Sequence, residues 1–388
     1  MNATPDPRPI RAFLDEAQLV WAAEVGAWAA RELAPRPAPI DDATARSDAR
    51  ALLEALGAGG WLAPIRTQEW RACCLTREAL AAASPLADAV FALQALSIVP
   101  LLLGDNDAMR DRWLDDALAG RAMGAFAMTE AEAGTDVAAL ATTARRQGDD
   151  YVLNGRKVFI SNAGIADFYA VFATTDPAAG KKAIGCFVVP ADARGCRFER
   201  PFVLSSPHPL GEISFTDCRV PAANRLGAEG AGLGLGLKTL DRLRPTVGAA
   251  ACGMAARALD EALEHTRSRR QFGKALAEFQ LVQQRLARMA TDLTAARLLV
   301  YRAAWEADHG AARITLEAAM AKSFATETAQ RVVDDAVQLL GGIGVLASHP
   351  VDRLYRSVRA LRIYEGTTEI QQLVIAGQLL AGAGERSA

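Results

Sequence analysis

Neither sign of charge is in excess in this chain. Its 43 Lys and Arg face 45 Asp and Glu, for a net charge of −2 and a pI of 6.2. A protein held to nucleic acid through phosphates carries a basic surplus, so that class of partner is excluded. Aromatic residues are scarce, at 6%, and the apolar mass is mostly Ala and Leu, which favours packed helices over an all-β fold. The four histidines (His208, His265, His309, His349) are scattered, which suggests neither a zinc site nor a His-centred triad, and no metal is expected. The six cysteines (Cys73, Cys74, Cys186, Cys196, Cys218, Cys252) include no CxxC pair and no spaced His partner. Disulfide frameworks belong to short secreted chains, so a reduced, cytoplasmic setting with buried thiols is expected. With 17 prolines, 51% hydrophobic and 23% charged residues, the composition excludes disorder. No unbroken apolar run is long enough to span a membrane. Residues 87–103 come nearest but contain Asp88, Gln94 and Pro100, so a buried helix is expected. Residues 1–9 hold four prolines or acidic residues and no apolar signal core.

What the chain does have is length and pattern. At 388 residues it exceeds one ordinary single-core domain and suggests two or three. Phe13, Ala17, Val20 and Val25 fall at helical spacing, as do Leu52, Leu53 and Leu56. Pro35, Pro37 and Pro39 mark a break after the first helix, and Trp113, Leu114 and Leu118 lie on a short helix ended by Gly120. Near residue 121 the texture changes. Tyr151, Leu153, Val158 and Ile160 are strand-type residues, with Asn154-Gly155 as a turn signal between two extended runs. Residues 168–173, 184–189, 196–202 and 213–220 repeat the pattern. No crossover helix separates them, so an antiparallel middle domain is expected. Beyond Gly232 the chain is helical again. Val282, Leu286, Met289, Leu293 and Ala296 make one apolar stripe. Ile314, Ala318, Ala321, Ala325 and Val332 make another, running to Gly341, Gly342 and Gly344. Two more helical pieces follow, near 351–358 and 368–380. The expected fold is α+β and mostly α. It comprises an N-terminal α-helical domain (1–120), a middle antiparallel β-barrel or sandwich (121–230) and a C-terminal helical bundle (231–388).

Four segments carry chemistry. Gly232, Gly234 and Gly236 have GxGxG spacing without the strand–loop–helix of a dinucleotide site, and read as a flexible loop entering a helix. Residues 129–136 join hydroxyls, small residues and Gly134 directly after a strand at 125–128. Such a loop can offer N–H groups and hydroxyls to a planar ring or a phosphate, or can be a polar surface turn. Residues 267–274 (Arg-Ser-Arg-Arg-Gln-Phe-Gly-Lys) are either a solvated helix end or a clamp for pyrophosphate. In 363–371, Glu365 stands between Tyr364 and Gly366, with Thr367 or Thr368 able to cap the next helix. Glu365 is either a plain capping acid or a base whose proton affinity a dry pocket raises, with Tyr364 and Ile363 as the wall.

Taken together, these stretches resemble the acyl-CoA dehydrogenase family of flavoproteins. The resemblance rests on Phe126-Ala127-Met128-Thr129-Glu130 through Ala133-Gly134-Thr135-Asp136, and on Asn154-Gly155-Arg156-Lys157-Val158-Phe159-Ile160-Ser161-Asn162. It continues through Arg269-Arg270-Gln271-Phe272-Gly273-Lys274 with Phe279-Gln280, Gln338-Leu339-Leu340-Gly341-Gly342-Ile343-Gly344, and Tyr364-Glu365-Gly366-Thr367. The order holds from about residue 10 to 380, with five motifs in sequence.

The resemblance implies one FAD per subunit, lying between the β and C-terminal domains and reaching a neighbouring subunit. It also implies a homotetramer or homodimer, and an electron-transferring flavoprotein as acceptor. Phe126, Met128 and Thr129 match flavin contacts, and Gly134 and Thr135 match positions near pyrophosphate and substrate. Phe159 and Ser161 match an aromatic beside the flavin and a hydroxyl approaching its N5. Arg269, Gln271, Phe272 and Gln280 match the segment that reaches the neighbour's FAD. Gln338, Gly341 and Gly342 match the adenosine-side loop, and Thr367 and Glu369 match late FAD contacts. Thr135, Asp241, Arg244, Tyr364 and Gly366 match substrate-side positions. The implied reaction is α,β-dehydrogenation of an acyl thioester, acyl-CoA or acyl-carrier-linked, with Glu365 as the base. The position matching the alternative base of some relatives is Leu243, which cannot take a proton. A short-chain oxidase and a non-catalytic FAD-binding relative remain as alternatives.

Departures from the pattern are local. Ala131-Glu132 replaces the commoner Pro-Gly, which predicts a looser first loop. Phe159 stands where Trp is frequent. Residues 201–211 lack the usual Gly-x-Arg-type loop, and residues 64–71 are shorter than usual; both border the substrate entrance.

Overall fold

Six helices come first: α1 (Glu16–Glu32), α2 (Asp42–Ala58), α3 (Ala63–Thr67), α4 (Trp70–Ala83), α5 (Pro85–Leu103) and α6 (Asp107–Leu118). The strands β1 (Gly124–Ala127), β2 (Thr143–Gln147), β3 (Asp150–Ser161), β4 (Phe168–Thr174), β5 (Ile184–Pro190), β6 (Cys196–Pro201), β7 (Leu210–Pro221) and β8 (Arg225–Leu226) follow. Helix α7 (Gly232–Ser268), the short strands β9 (Arg270–Gln271) and β10 (Lys274–Ala275), and helices α8 (Gln280–Asp308), α9 (Thr315–Leu340), α10 (Pro350–Leu361) and α11 (Thr368–Glu385) complete the order. The computed structural model describes residues 5–385, with side chains through 381. Residues 1–4, part of the stretch read above as lacking a signal core, and 386–388 lie outside the described residues. The chain divides into two compact units. A sheet unit takes Ala38–Gln68 and Ala89–Leu240, and a helical unit takes the described parts of Met1–Pro37, Glu69–Asp88 and Asp241–Ala388.

In the sheet unit the strand order is β6-β7-β3-β2-β4-β5-β8, with β1 beside β4. The pairing is antiparallel except at β4, which takes β1 and the single bridge Thr143–Thr174 of β2 in parallel. Tyr151, Leu153, Val171, Phe187, Ile213 and Phe215 form its core, all essentially removed from water. Each such side chain contributes roughly 1.5–3 kcal/mol of transfer free energy. Buried Gln94 of α5 ties helices to sheet: its Nε2 donates to Ala117 O and Ala122 O, and its Oε1 accepts from Gly124 N.

Two turn signals are resolved differently from the sequence expectation. Strand β3 runs unbroken through Asn154-Gly155, which form a bulge against β7 and not a hairpin. A side chain at Gly155 would collide with Thr142, so glycine serves a close approach there. The hairpin lies earlier, at Gly148, whose φ of +62° closes the Gln147–Asp150 pair. Gly232, Gly234 and Gly236 are likewise no loop; they lie in the first turns of α7. Added carbons at Gly232 and Gly236 would strike the Gly185–Cys186 backbone and Met128 with Phe172, so the glycines seat the helix on the sheet.

The helical unit explains the Ala-rich composition. The predicted stripe of α9 is buried at Ala318, Ala321, Ala325 and Val332, and that of α8 at Met289, Leu293 and Ala296. In α1 the buried face differs in part from the predicted one: Val25 is buried as expected, but two others of the stripe are not. Ala17 and Val20 are exposed, and Gln18, Ala22 and Val25 are buried. Gln18 turns inward because its Oε1 accepts from Asp15 N in a capping box. Helix α4 is buried along nearly its whole length and carries charge into the core. Glu78 forms an ion pair with Arg297 at 2.6 Å and accepts from Tyr301 Oη at 2.6 Å, while Arg71 pairs with Asp308 at 2.7 Å.

Gly253 of α7 lies where a Cβ would overlap the Glu78 carbonyl of α4, a backbone that cannot yield. Gly253→Val is therefore expected to lower the unfolding free energy by about 2–3 kcal/mol. Urea denaturation followed by far-UV circular dichroism measures it, and an unchanged midpoint would refute the close-approach argument.

Candidate active site

In the sheet unit, the loop after β1 is fastened to β3. Val158 N donates to Thr129 O at 3.0 Å, and Lys157 Nζ donates to Met128 O at 3.0 Å and to Glu130 Oε1 at 2.7 Å. Glu130 also accepts from Ala141 N and Thr142 N. Burial would raise its carboxyl, but the Lys157 ammonium together with the donors from Thr142 and Ala141 outweighs burial and lowers it from the usual carboxylate value. Burial in turn pushes Lys157 down to about 8. The loop is not looser for lacking Pro-Gly: Glu130 and Ala133 exchange N–H···O bonds of 3.2 Å, closing a tight turn. Beyond it Gly134 and Thr135 are exposed, and the space where a Gly134 Cβ would stand is open.

These ties bring Met128 and Thr129 to the strand that carries Phe159 and Ser161. Phe126 packs on Phe172, with ring centroids 4.8 Å apart. Phe159 has φ +55°, a conformation rare for an aromatic residue, and its ring is 59% exposed beside Phe202. Ser161 Oγ lies 3.3 Å from His208 Nε2. Burial lowers His208 to about 4, against the opposing charge of Asp42. Scattered spacing hid this histidine; it arrives on the 201–211 segment that departs from the family pattern.

In the helical unit, β9 and β10 form a hairpin just past α7. Phe272 (φ +51°) and Gly273 (φ +83°) are its two turn residues. The turn thrusts Phe272 outward, 94% exposed, and Arg269, Gln271 and Gln280 are exposed near it. The hydrogen bonds found for this hairpin are local, such as Gln271 Nε2 to Arg270 O. Gln338 is exposed at the end of α9, and open space surrounds the Cβ positions of Gly341 and Gly342.

Glu365 stands where polar side chains of α7, α9 and α11 meet. It is not the cap of α11: Thr367 Oγ1 accepts from Ile370 N and takes that part. Thr368 instead donates to Glu327 at 2.7 Å, and Glu369 is exposed. Glu365 has φ +55° and Gly366 φ +94°. Arg244 Nε and Gln371 Nε2 donate to the Glu365 carbonyl at 3.2 and 3.3 Å. Lys322 Nζ and Gln371 Nε2 donate to the Gly366 carbonyl at 2.7 and 3.1 Å. With its main chain so held, the carboxylate keeps Oε2 buried and without a hydrogen-bond partner. Burial raises its proton affinity, opposed by the charges of Arg77, Lys322 and Arg244. Arg77 is itself wholly buried, donating to Asp88 at 2.7 and 3.0 Å and to Thr246 Oγ1 at 3.0 Å. Its guanidinium also lies against the Tyr364 hydroxyl. Asp241 accepts from Arg244 at 2.6 Å and from Thr315 at 2.6 Å.

Of the residues singled out from the motif or from the family resemblance, the structure gathers Glu365, Tyr364, Asp241, Arg244 and Thr367 in the helical unit. Sequence spacing missed Arg77, Asp88, Lys322 and Gln371, which lie on apolar helical stripes and become legible only through their partners.

A strained carboxylate with a buried, unbonded oxygen among cations has features that a proton-transfer group needs, and the exposed aromatics and open glycine positions suit a large planar cofactor. Comparison with known proteins agrees with this chemistry. Residues 125–218 match the acyl-CoA dehydrogenase middle domain and residues 230–380 the acyl-CoA dehydrogenase C-terminal domain. A probable acyl-CoA dehydrogenase, fadE25, of Mycobacterium leprae is 38% identical over 368 residues, covering 92% of this chain and 94% of that protein. The CarC subunit of the caffeyl-CoA reductase–Etf complex of Acetobacterium woodii is 40% identical over 288 residues, 72% of this chain and 74% of that one. The solved structure of butyryl-CoA dehydrogenase from Megasphaera elsdenii superposes with a TM-score of 0.87 at 32% identity, covering 95% and 99% of the two chains. The chain belongs to the acyl-CoA dehydrogenase family of flavoprotein oxidoreductases.

Removing Lys157 would leave the Glu130 carboxylate in the protein with backbone donors alone. Lys157→Met is expected to cost about 3–5 kcal/mol of stability. It should also expose residues 129–136 to limited proteolysis. Unchanged stability and cleavage would show that the pair does not hold the loop.

Proposed function

We propose that this protein catalyses FAD-dependent α,β-dehydrogenation of an acyl thioester, acyl-CoA to 2-enoyl-CoA, with Glu365 removing the α-proton. The observation that carries this reading is the buried, partnerless Oε2 of Glu365 on a left-handed backbone. A thioester α-proton is weakly acidic, so its base needs raised proton affinity and a fixed aim. Burial supplies the first and the donors on the Glu365 and Gly366 carbonyls supply the second. Tyr364 offers an aromatic wall beside the base, and Arg244 and Asp241 are the polar groups proposed for the carrier end of the substrate.

Phe126, Met128, Thr129, Gly134, Thr135, Phe159 and Ser161 of the sheet unit are the proposed flavin-side residues. Arg269, Gln271, Phe272, Gln280, Gln338, Gly341, Gly342, Thr367 and Glu369 of the helical unit are the others. Their fit to FAD is supported by the exposed ring of Phe159, the hydroxyls of Thr129 and Ser161, and the open space at Gly134, Gly341 and Gly342. When bound, FAD supplies the two-electron oxidation by accepting the β-hydrogen as hydride. The exposed Phe272 hairpin supports association with a second copy. Similarity to CarC supports an electron-transferring flavoprotein as acceptor. The six free cysteines support a reduced, cytoplasmic setting.

That same similarity favours one second reading, in which the physiological direction is reduction of an enoyl thioester. Glu365 would then deliver the α-proton that it removes in the forward sense. Anaerobic oxidation of the chemically reduced holoprotein by enoyl thioesters, compared with bleaching by saturated ones, separates the two directions.

Glu365→Gln should slow thioester-dependent flavin bleaching by about 10²–10⁴-fold. FAD content should be unchanged. Anaerobic stopped-flow absorbance with short, branched, long and cyclic acyl-CoA and acyl-carrier substrates measures it, and bleaching at the parent rate would remove Glu365 from the mechanism.

A further inference from the structure

Three cations act on Glu365, and they are not equivalent. Arg77 from α4 is already matched by the two Asp88 oxygens, and Arg244 from α7 by Asp241. Lys322 from α9 is fully buried, and among the described residues no carboxylate pairs with it directly. Its ammonium donates to a neutral group, the Gly366 carbonyl, at 2.7 Å. A buried ammonium without a counter-ion is costly, and such a group persists where its charge or its geometry is needed.

We infer that Lys322 is a positioning residue for Glu365, holding the left-handed backbone through the Gly366 carbonyl and favouring the ionised carboxylate through its unmatched charge. The inference rests on the proposed role of Glu365 as base. The backbone part follows from geometry. Glu365 at φ +55° is a conformation that costs about 1–3 kcal/mol unless the surroundings impose it. Gln371 and Lys322 on one carbonyl, with Arg244 and Gln371 on the other, impose it. The charge part follows from the neighbours. Glu365 is faced by Arg77, Asp88, Arg244 and Lys322, with Tyr364 adjacent. Lys322 is faced by Glu365, Arg244, Glu327 and Glu369. Glu327 is engaged by Arg362 and Thr368, and Glu369 is exposed. Glu365 is thus the buried acid left to balance Lys322. Burial presses Lys322 down to about 8, the mark of an ammonium whose neighbours compensate it only in part.

The sign of the effect is fixed. Removing a positive charge beside a carboxylate raises its pKa, so the acid limb of the base moves to higher pH. Lys322→Met deletes both charge and donor, while Lys322→Gln deletes the charge and keeps an amide donor. In FAD-loaded protein both variants should shift the Glu365 titration upward by about one pH unit. The titration is read in the pH dependence of anaerobic flavin bleaching. It is read independently by infrared titration of the carboxyl band that Glu365→Gln removes. Lys322→Met should in addition lose kcat at every pH with KM changed less, and Lys322→Gln should recover part of that loss. A folded, FAD-loaded variant whose Glu365 titrates as in the parent overturns the inference. Loss of folding and FAD in both variants overturns it too, by making Lys322 structural. A parent that does not bleach with thioesters defeats the dehydrogenase reading instead, and the infrared titration still decides the part assigned to Lys322.

Discussion

The carbonyls of Glu365 and Gly366 are the acceptors on which the helical unit converges. Arg244 comes from α7, Lys322 from α9 and Gln371 from α11, and all three donate to those two oxygens. A main chain held at two successive carbonyls cannot relax from its left-handed conformation, and the Glu365 side chain inherits that fixity. A base works by keeping an oxygen free for the substrate's proton, and a flexible carboxylate would turn to the nearest cation. Here the nearest arginines are already engaged by Asp88 and Asp241, so Oε2 stays buried and unbonded. The arrangement trades local strain and desolvation for aim, in the way reactive groups are commonly held.

Such a junction needs helices that pack closely and cannot slide. Alanine and glycine supply the closeness: Gly248 meets Val300 and the α9 backbone, and Gly253 meets the backbone of α4. Buried charges supply the register. Glu78 with Arg297 and Tyr301, Arg71 with Asp308, and Arg77 with Asp88 tie α4 to α5 and α8 at particular turns. A shift of one turn would strand a charge in the core at a cost of several kcal/mol. Buried pairs of this kind generally add little net stability over an apolar core, but they restrict how the helices can pack around Glu365.

This division of labour explains what could be read from the sequence. Element type was legible wherever burial repeats with a period, as in the α8 and α9 stripes and the runs that became β4, β5 and β7. It failed where one residue answers to a distant partner. Asn154-Gly155 has the composition of a turn, but Gly155 is glycine because Thr142 lies against it. Gly232 and Gly236 look like a loop, yet they are helical and are glycine because the sheet backbone and Met128 occupy the space a side chain would need. Val20 fits an apolar stripe, yet Gln18 takes the buried place through its cap. Glu365 was legible because its neighbours in the chain are themselves diagnostic. Lys322, Arg77 and His208 were not, because each acquires its role from a residue tens of positions away, and Gln371 was not, because its role is to donate to main-chain carbonyls that no side-chain pattern marks.

Backbone strain joins the two kinds of evidence. Among the described residues seven other than glycine have positive φ: Gln68, Asp105, Phe159, Asn162, Asp217, Phe272 and Glu365. Asn, Asp and the helix-capping Gln68 tolerate that region with modest penalty, whereas two phenylalanines and a half-buried glutamate do not. Those three are also positions that the family resemblance selected: an aromatic proposed beside the flavin, an aromatic proposed to reach a neighbouring subunit, and the proposed base. Packing alone gives no reason to keep them. Phe272 and Phe159 are exposed, so their rings gain little from burial within the chain, and Oε2 of Glu365 gains no hydrogen bond. For the two phenylalanines burial does not offset the strained backbone, whereas at Glu365 the donors on the Glu365 and Gly366 carbonyls impose it and leave Oε2 unbonded. On that ground the three strained residues mark where cofactor, second copy and substrate are to be sought.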